Sequence, residues 1–211
     1  MATSFRSLRI LSTAVILAAT FSGCAGAPKG PLLLHPFPPE SEEYTLSGGA
    51  LVFRGKEVEV AARPVDWRVV EKQFLEEGAA SPLGGTEGGY GGYVFISLRI
   101  ANSSIQPVVF GAQRSYLRKK GKRLGSSLNL SDIYVMAGQG GDAEERLRSF
   151  QKSFFDGDTI VASGTSKEKY LAFRAPKGKI KILELMIDDI FLGMESRDLS
   201  FLFEVFPGGE E

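Results

Sequence analysis

The sequence has one cysteine and one histidine, Cys24 and His35, and both precede the part of the chain with regular apolar patterns. A single cysteine cannot form an intramolecular disulfide, so the folded part must be held together by packing alone. A histidine-based triad, a thiol nucleophile and a zinc site are disfavoured, because the residues they need are absent from the rest of the chain. One imidazole among prolines is a poor metal site, so we expect no metal or other cofactor.

An excess of charge of one sign is also missing. Lys plus Arg and Asp plus Glu number 25 each. Removing residues 1–23 takes away Arg6 and Arg9 and no acid, which leaves 23 bases against 25 acids. A mildly acidic body has no overall field that attracts nucleic acid, so we expect no nucleic-acid partner.

The main apolar run, Ile10–Ala19, is too short to cross a bilayer comfortably, since a spanning helix needs about 20 residues. It is interrupted only by Ser12 and Thr13, and it follows two arginines in a segment without acids. A basic start and a short apolar run are typical of a secretory signal peptide, so the sequence predicts export.

Small residues follow the apolar run and lead into the cysteine. The stretch FSGC at residues 21–24 resembles the lipobox of bacterial lipoproteins, in which the cysteine thiol receives a diacylglyceryl group and the signal is cut before it. The resemblance implies a signal peptide over residues 1–23 and membrane attachment through Cys24. Two or three acyl chains hold firmly, because each buried CH₂ contributes about 0.8 kcal/mol. The alternative is an ordinary cleaved signal with an incidental thiol. Ala25 is not the aspartate that retains enteric lipoproteins in the inner membrane, which implies the outer membrane, facing the periplasm.

Residues 24–43 are predicted to be the lipidated cysteine and a flexible tether, because PKGPLLLHPFPPESEE contains five prolines. Fully extended, such a tether reaches on the order of 60 Å. The apolar residues Leu32, Leu33, Leu34 and Phe37 do not suit a solvated linker, and we expect them to lie on the domain or on a partner.

Residues 44–207 are predicted to form one β-sandwich domain. The clearest strand is YVFISLRI, where Val94, Ile96, Leu98 and Ile100 alternate with the other residues. Further strand patterns lie at 51–54, 57–62, 105–110, 115–118, 123–124, 133–136, 159–162, 170–174, 179–190 and 199–206. The apolar phase changes within 179–190, which predicts a bulge near Ile182.

Two amphipathic helices are predicted beside these strands, one from a cap at Asp66 to Gly78 and one over residues 141–157. Many short strands with two brief helical excursions indicate a mainly β fold, an antiparallel sandwich. The stretch YVFISLRIANSSIQPVVF, with the later SGTSKEKYLAFRAP, resembles immunoglobulin-like domains found on bacterial lipoproteins, where a strand ending in Asn-Ser leads to a partner strand. This resemblance covers residues 93–206 and implies an immunoglobulin-like sandwich; it implies no function.

A cluster of bases is the sharpest charge feature. Six bases fall within ten residues on a predicted hairpin: Arg114, Arg118, Lys119, Lys120, Lys122 and Arg123. They would form a compact positive surface for anionic lipid headgroups, lipopolysaccharide phosphates or an acidic partner. The structural alternative is a solvated turn whose charges discourage edge pairing.

Residues 84–92 contain six glycines in nine positions. No strand runs directly into this loop and no Lys-Ser or Lys-Thr opens a helix after it, so a phosphate cradle is disfavoured. We expect a flexible loop that admits a partner. Tyr90, Tyr93 and Phe95 beside it form either a binding patch or part of the core.

The remaining catalytic candidates are carboxylate pairs. A glycosidase needs two carboxylates facing one substrate. Asp188 and Asp189 are neighbours and would point to opposite faces of a strand, and Asp156-Gly157-Asp158 lacks the further ligands of a calcium loop. We therefore expect no enzyme, but a membrane-anchored envelope lipoprotein that acts as a protein-interaction or assembly module for another envelope protein. The alternative is a protein that binds a small ligand or glycan through the glycine-rich loop.

Overall fold

The computed structural model describes residues 32–39, 41–84, 89–138, 141–192 and 194–207. The predicted signal peptide, the lipobox with Cys24 and the first part of the tether lie outside these residues, as do positions 85–88 of the glycine-rich loop. Within the described ranges, no helix has the length and apolar character needed to cross a membrane.

The described residues form twelve strands, three α-helices and two short 3₁₀ turns. In chain order the elements are β1 (Leu32–Pro36), β2 (Tyr44–Ser47), β3 (Ala50–Arg54), β4 (Val58–Val65), α1 (Trp67–Glu76), a 3₁₀ turn (Gly89–Gly92), β5 (Tyr93–Asn102), β6 (Val108–Gly111), a 3₁₀ turn (Ala112–Arg114), β7 (Ser115–Lys119), β8 (Lys122–Ser126), α2 (Leu130–Ala137), α3 (Ala143–Ser153), β9 (Asp158–Val161), β10 (Thr165–Arg174), β11 (Ile182–Leu192) and β12 (Glu195–Pro207).

The strands form two antiparallel sheets. The first sheet has the order β1-β12-β11-β6-β9, with β7 pairing the earlier part of β11 and β8 pairing β7. The second sheet has the order β10-β5-β4-β3-β2. The predicted mainly β fold, an antiparallel sandwich, is confirmed.

The main core lies between the two sheets. Alternating residues of β5, including Val94, Ile96, Leu98 and Ile100, are at most 3% exposed, as the period of two in the sequence requires. From the first sheet they meet the alternating apolar residues of β11 and β12, which are Leu183, Leu185, Ile187, Leu199, Phe201 and Phe203.

The three helices cover the part of the outer face of the second sheet that holds Tyr93 and Phe95, and they enclose a second core there. The opposite-parity residues Tyr93 and Phe95 of β5 contribute to it, so this part of β5 is buried on both faces. Val70 and Phe74 from α1 and Phe150 from α3 pack against them. The two predicted helices are confirmed as α1, capped by Asp66, and α3.

The sheet begins earlier than predicted. Residues up to 43 were expected in the tether, but Leu32–Pro36 form β1, which pairs with β12 from Leu32↔Pro207 to Pro36↔Phe203. Leu32 and Leu34 pack against the main core, which explains the apolar residues that did not suit a linker. His35 lies on β1, where its ring meets that of Phe206 at 5.0 Å between centroids.

The predicted strand at 133–136 is wrong, because these residues belong to α2. Asn129 and Asp132 form a reciprocal capping box at the start of this helix. The helix ends at Gly138, which has φ of 62°. A short apolar run does not distinguish a strand from a buried helix, and here the cap decides.

The bulge in β11 is also placed differently. The ladder with β12 shifts between Ile187 and Ile190, and Asp189 has φ of 51°. No bulge is needed near Ile182, since β11 begins there and Ile180 precedes the ladder. The Asp189 side chain accepts a hydrogen bond from the Ser196 hydroxyl at 2.9 Å, which stabilises the irregular backbone.

Candidate functional site: a lysine-rich end of the first sheet

The β7–β8 hairpin carries most of the predicted basic cluster. Its turn residues Lys120 and Gly121 both have positive φ, at 47° and 78°. Positive φ at both central residues is typical of a type I′ hairpin turn, and glycine is favoured at the second of these positions. Lys119 and Lys122 face each other across the turn, as the predicted hairpin requires.

Arg118 does not lie free on this surface. Its Nε and Nη2 donate to the two carboxylate oxygens of Glu184 at 2.7 and 2.6 Å, and the Ser200 hydroxyl donates to the same carboxylate at 2.6 Å. The bond from Arg118 holds the pKa of Glu184 below its ordinary value, and the pair in turn raises the pKa of Arg118. The charge of Arg118 is therefore largely matched within the first sheet.

The other two arginines are also engaged. The Arg123 guanidinium lies 4.2 Å from the centre of the Tyr116 ring and donates to the Ser126 hydroxyl at 2.6 Å. Arg114 lies at the opposite end of β7, where its Nη1 is 3.9 Å from a carboxylate oxygen of Asp189. The six bases therefore do not form one group, because β7 separates Arg114 from the turn.

Two lysines from another segment join the turn. Lys119 Nζ donates to the backbone carbonyl of Lys179 at 2.7 Å, which fixes the segment before β11 beside the hairpin. A cleft of about 580 Å³ lies between the hairpin and the segment before β11. It is lined by Ile182, the Arg118–Glu184 pair and four lysines, which are Lys119, Lys120, Lys179 and Lys181. We call Lys119, Lys120, Lys122, Lys179 and Lys181 the lysine-rich end.

These lysines have no acidic partner in the part of the chain that the structure describes. None of the five takes part in an ion pair within 4.0 Å there. Residues 174–183 contain four bases and no acid, which was the available signal for Lys179 and Lys181. Their place beside the hairpin could not be predicted, since the segment before β11 brings Lys179 to Lys119 from 60 residues away. This cationic cleft suits an anionic group.

The opposite end of the first sheet has a different surface. Val108 of β6 pairs with Leu192 of β11 at this end. Ile105 lies just before β6 and Met194 lies just after β11, and their side chains are 90% and 94% exposed. We call this the apolar end.

Tyr90 and Tyr93 lie in the second core rather than on a surface, at 2% and 7% exposure. The Ser81 hydroxyl donates to Tyr90 Oη at 2.8 Å, and the Tyr93 hydroxyl donates to Met136 Sδ at 3.2 Å. Burial raises the pKa of Tyr90. Neither ring can form the predicted binding patch, because Phe74 of α1 packs on Tyr90 and Met136 of α2 contacts Tyr93.

A cavity near these rings is small. It measures about 140 Å³ and lies between β1, the junction of β4 and α1 at Trp67, and the start of β5 at Tyr93 and Phe95. Ligand sites for organic molecules are usually about 300–1,000 Å³. The cavity is therefore too small for a glycan.

A buried arginine fixes the start of the glycine-rich loop. Arg146 of α3 is 7% exposed, and its guanidinium donates to the carbonyls of Ser81 at 3.1 Å, of Pro82 at 3.3 Å and of Gly84. Sequence reasoning missed this residue, because a charged position between Leu147 and Glu145 reads as a solvated helix face. These bonds tie the start of the loop to α3.

The carboxylates have separate structural partners. Asp188 accepts a hydrogen bond from the Tyr116 hydroxyl, whereas Asp189 accepts one from Ser196. Asp156 accepts the backbone N–H of Leu130 at 3.0 Å and so supports the start of α2. Among the residues with described positions, no group of three or more His, Cys, Asp or Glu side chains could hold a metal ion.

No protein-family model matches the chain, and the searches of curated proteins and of solved structures return no significant match.

Proposed function

We propose that this protein is a lipid-anchored lipoprotein of the bacterial cell envelope, placed in the outer membrane and facing the periplasm, that binds another protein and catalyses no reaction. The anchor is Cys24, on the pattern of the preceding residues. The sandwich is the part that meets the partner.

The observation that carries the protein-binding proposal is the position of the apolar end. Leu32, where the chain enters the first sheet, pairs with Pro207 at the end that holds the lysines. Ile105 and Met194 lie at the other end, so a domain attached through its amino terminus presents them away from its attachment. Burying these two side chains, which are about nine-tenths exposed, against a partner is favourable because it removes apolar surface from water.

The bonding of the acidic residues favours a binding role over an enzymatic one. Asp156, Asp188 and Asp189 each accept a hydrogen bond from a separate backbone or hydroxyl donor. A two-carboxylate mechanism needs both groups free to face the substrate.

The glycan-binding alternative is less well supported. It required aromatic rings exposed beside the glycine-rich loop, and Tyr90 and Tyr93 are buried there. We therefore propose a protein partner rather than a glycan.

The test has two parts and uses the full chain in a diderm bacterium. Mass spectrometry of the mature protein is expected to find Cys24 as the acylated first residue; an unmodified thiol would overturn the anchor. Photo-crosslinking residues at positions 105 and 194 are expected to give the same adduct with an envelope protein, and position 75, exposed on α1, serves as the matched control.

The adduct at position 194 is expected to disappear when Ile105 is changed to Asp, because both side chains would lie in one interface. Equal adduct yields at positions 75, 105 and 194 would contradict the proposed binding end. So would an adduct at position 194 whose yield is unchanged by Ile105→Asp.

A further inference from the structure

We propose that the lysine-rich end binds the anionic headgroups of the leaflet that holds Cys24, so that the domain stands on the membrane in one orientation. This inference rests on the proposed lipid anchor. It adds a lipid-binding surface and an orientation to that anchor.

The first step is the length of chain between anchor and fold. Eight residue steps separate Cys24 from Leu32, the first residue of β1. At most about 3.5 Å per residue, they span no more than about 28 Å whatever their conformation. This is about half of the reach expected when the tether was thought to continue to residue 43, so the domain is held close to the headgroups.

The second step is which end of the domain faces the anchor. Leu32 pairs with Pro207, the N–H of Val205 donates to the carbonyl of Lys181 at 2.8 Å, and Arg118 pairs with Glu184. These contacts place the start of β1, the start of β11 and the β7–β8 turn at one end of the first sheet. Neighbouring strands are about 4.8 Å apart, and two to four strand spacings separate β1 from the strands that carry the lysines, so these residues lie roughly 10–20 Å from the point where the chain enters the fold.

The third step is charge complementarity. Residues 114–123 and 174–183 together carry ten bases and no acid, although the whole chain is neutral. Lys120, Lys122, Lys179 and Lys181 are exposed, and the acid in the cleft, Glu184, is already matched by Arg118. A surface of this kind is attracted to anionic lipid, with about 1 kcal/mol for each base near the headgroups.

Apolar side chains accompany the lysines at this end. Ile182 is 38% exposed in the cleft and Phe206 is 41% exposed beside β1. Basic residues next to partly exposed apolar ones are typical of surfaces that rest in the headgroup region. Because the anchor makes the contact intramolecular, a weak affinity is sufficient to hold the orientation.

The test measures vesicle binding without the acyl chains. The mature-length chain, residues 24–211 with Cys24→Ser, is mixed with phosphatidylcholine vesicles that do or do not contain phosphatidylglycerol. We expect binding only to the anionic vesicles, and we expect it to weaken as salt is raised.

The decisive variant is Lys179→Gln with Lys181→Gln. Both residues contact the rest of the fold through their backbone carbonyls, so the change leaves these bonds intact. Binding to anionic vesicles should fall about 25-fold, since about 1 kcal/mol for each lysine corresponds to about fivefold. The matched control, Lys56→Gln with Lys167→Gln, makes the same charge change on exposed residues at the far end of the second sheet and should bind like the parent chain.

Equal losses in the two double variants, or no binding to anionic vesicles by the parent chain, would overturn the lipid-binding end. So would an unchanged vesicle affinity of the Lys179→Gln, Lys181→Gln chain, which would leave an acidic protein as the partner of these lysines. An unacylated Cys24 in cells would instead overturn the anchor, and mass spectrometry reads that outcome independently of the vesicles.

Discussion

The two apolar cores of this protein are built in different ways. The core between the sheets is formed by alternating residues on paired strands, mostly valine, isoleucine and leucine with a few phenylalanines. The core under the helices is mainly aromatic, and its rings come from five elements and the segments between them. The first core depends on strand period and register, whereas the second depends on where separate segments happen to meet.

Phe154 occupies the centre of the second core. Its ring is 4.7 Å from that of Phe150, 5.7 Å from Tyr170, 6.2 Å from Phe74 and 6.3 Å from Phe95, between centroids. These ring contacts join α1 and α3 to β5 and β10 of the second sheet. We therefore expect the helix layer to open more readily than the two sheets.

The largest effect is predicted for Phe154→Ala. The free energy of unfolding should fall by about 3–5 kcal/mol, the usual range for removing a buried phenylalanine, as measured by urea denaturation. Hydrogen exchange should rise first in α1, α2 and α3 and much less in β11 and β12. Phe201→Ala in the inter-sheet core is the matched comparison, and it should raise exchange in both sheets. The same exchange pattern in both variants would show that the two cores melt as one unit.

An intermediate effect is predicted for Arg146→Leu. The change removes the donors for three backbone carbonyls, two of which belong to Ser81 and Pro82, at a buried site. Leaving buried acceptors unsatisfied should cost about 2–4 kcal/mol in all. Denaturation measures the loss, and proteolysis should become faster near residue 84.

Arg148 provides the control for that variant, two positions along the same helix. It is exposed and pairs with Glu144 four residues earlier. Arg148→Ala should change stability by less than about 0.5 kcal/mol. Equal costs at positions 146 and 148 would mean that the carbonyl contacts of Arg146 contribute nothing.

The smallest effect is predicted on the outer face of the first sheet, which no described helix covers. Glu184→Gln should destabilise the fold by about 1–2 kcal/mol at neutral pH, because it replaces a charged bidentate contact with a neutral one.

The pH dependence follows from the lowered pKa of Glu184. Its stabilising contribution is present above its ordinary value of 4.5 and is lost as the pH falls through the lower value of the folded state. The difference in free energy of unfolding between the parent chain and Glu184→Gln should therefore become smaller in acid. If that difference stays constant from neutral to strongly acidic pH, the hydrogen-bonding geometry of Glu184 matters and its charge does not.

The inter-sheet core could be predicted from the sequence because its strands alternate. Val94 to Ile100 and Leu199 to Val205 show the period directly, and the hairpin around Gly121 carries a turn signal. The helix layer was harder, since α2 is apolar on two sides: Ile133 is buried while Tyr134 and Val135 are exposed. A run of that kind has no period to reveal its type.

The candidate site was predictable only in part. The bases of the hairpin are close in sequence, so the cluster around Lys120 could be predicted. The separation of its arginines, which have partners, from the lysines, which have no acidic partner among the described residues, could not. Local sequence cannot show that Arg118 contacts Glu184 or that Lys119 contacts Lys179, because those contacts depend on strand register over 60 or more residues. The role of β1 was hidden in the same way, since prolines dominate the segment around it.

The pairing of β1 with β12 also affects how the protein is made. Of the described strands, β1 is synthesised first and β12 last, and β1 can pair only after β12 has been made, since Leu32 pairs with Pro207. Contacts between such distant positions slow folding, because a long loop must close before they form. Until β12 has been synthesised, β1 has no partner among the described strands, so the first sheet stays incomplete until nearly the whole chain is available.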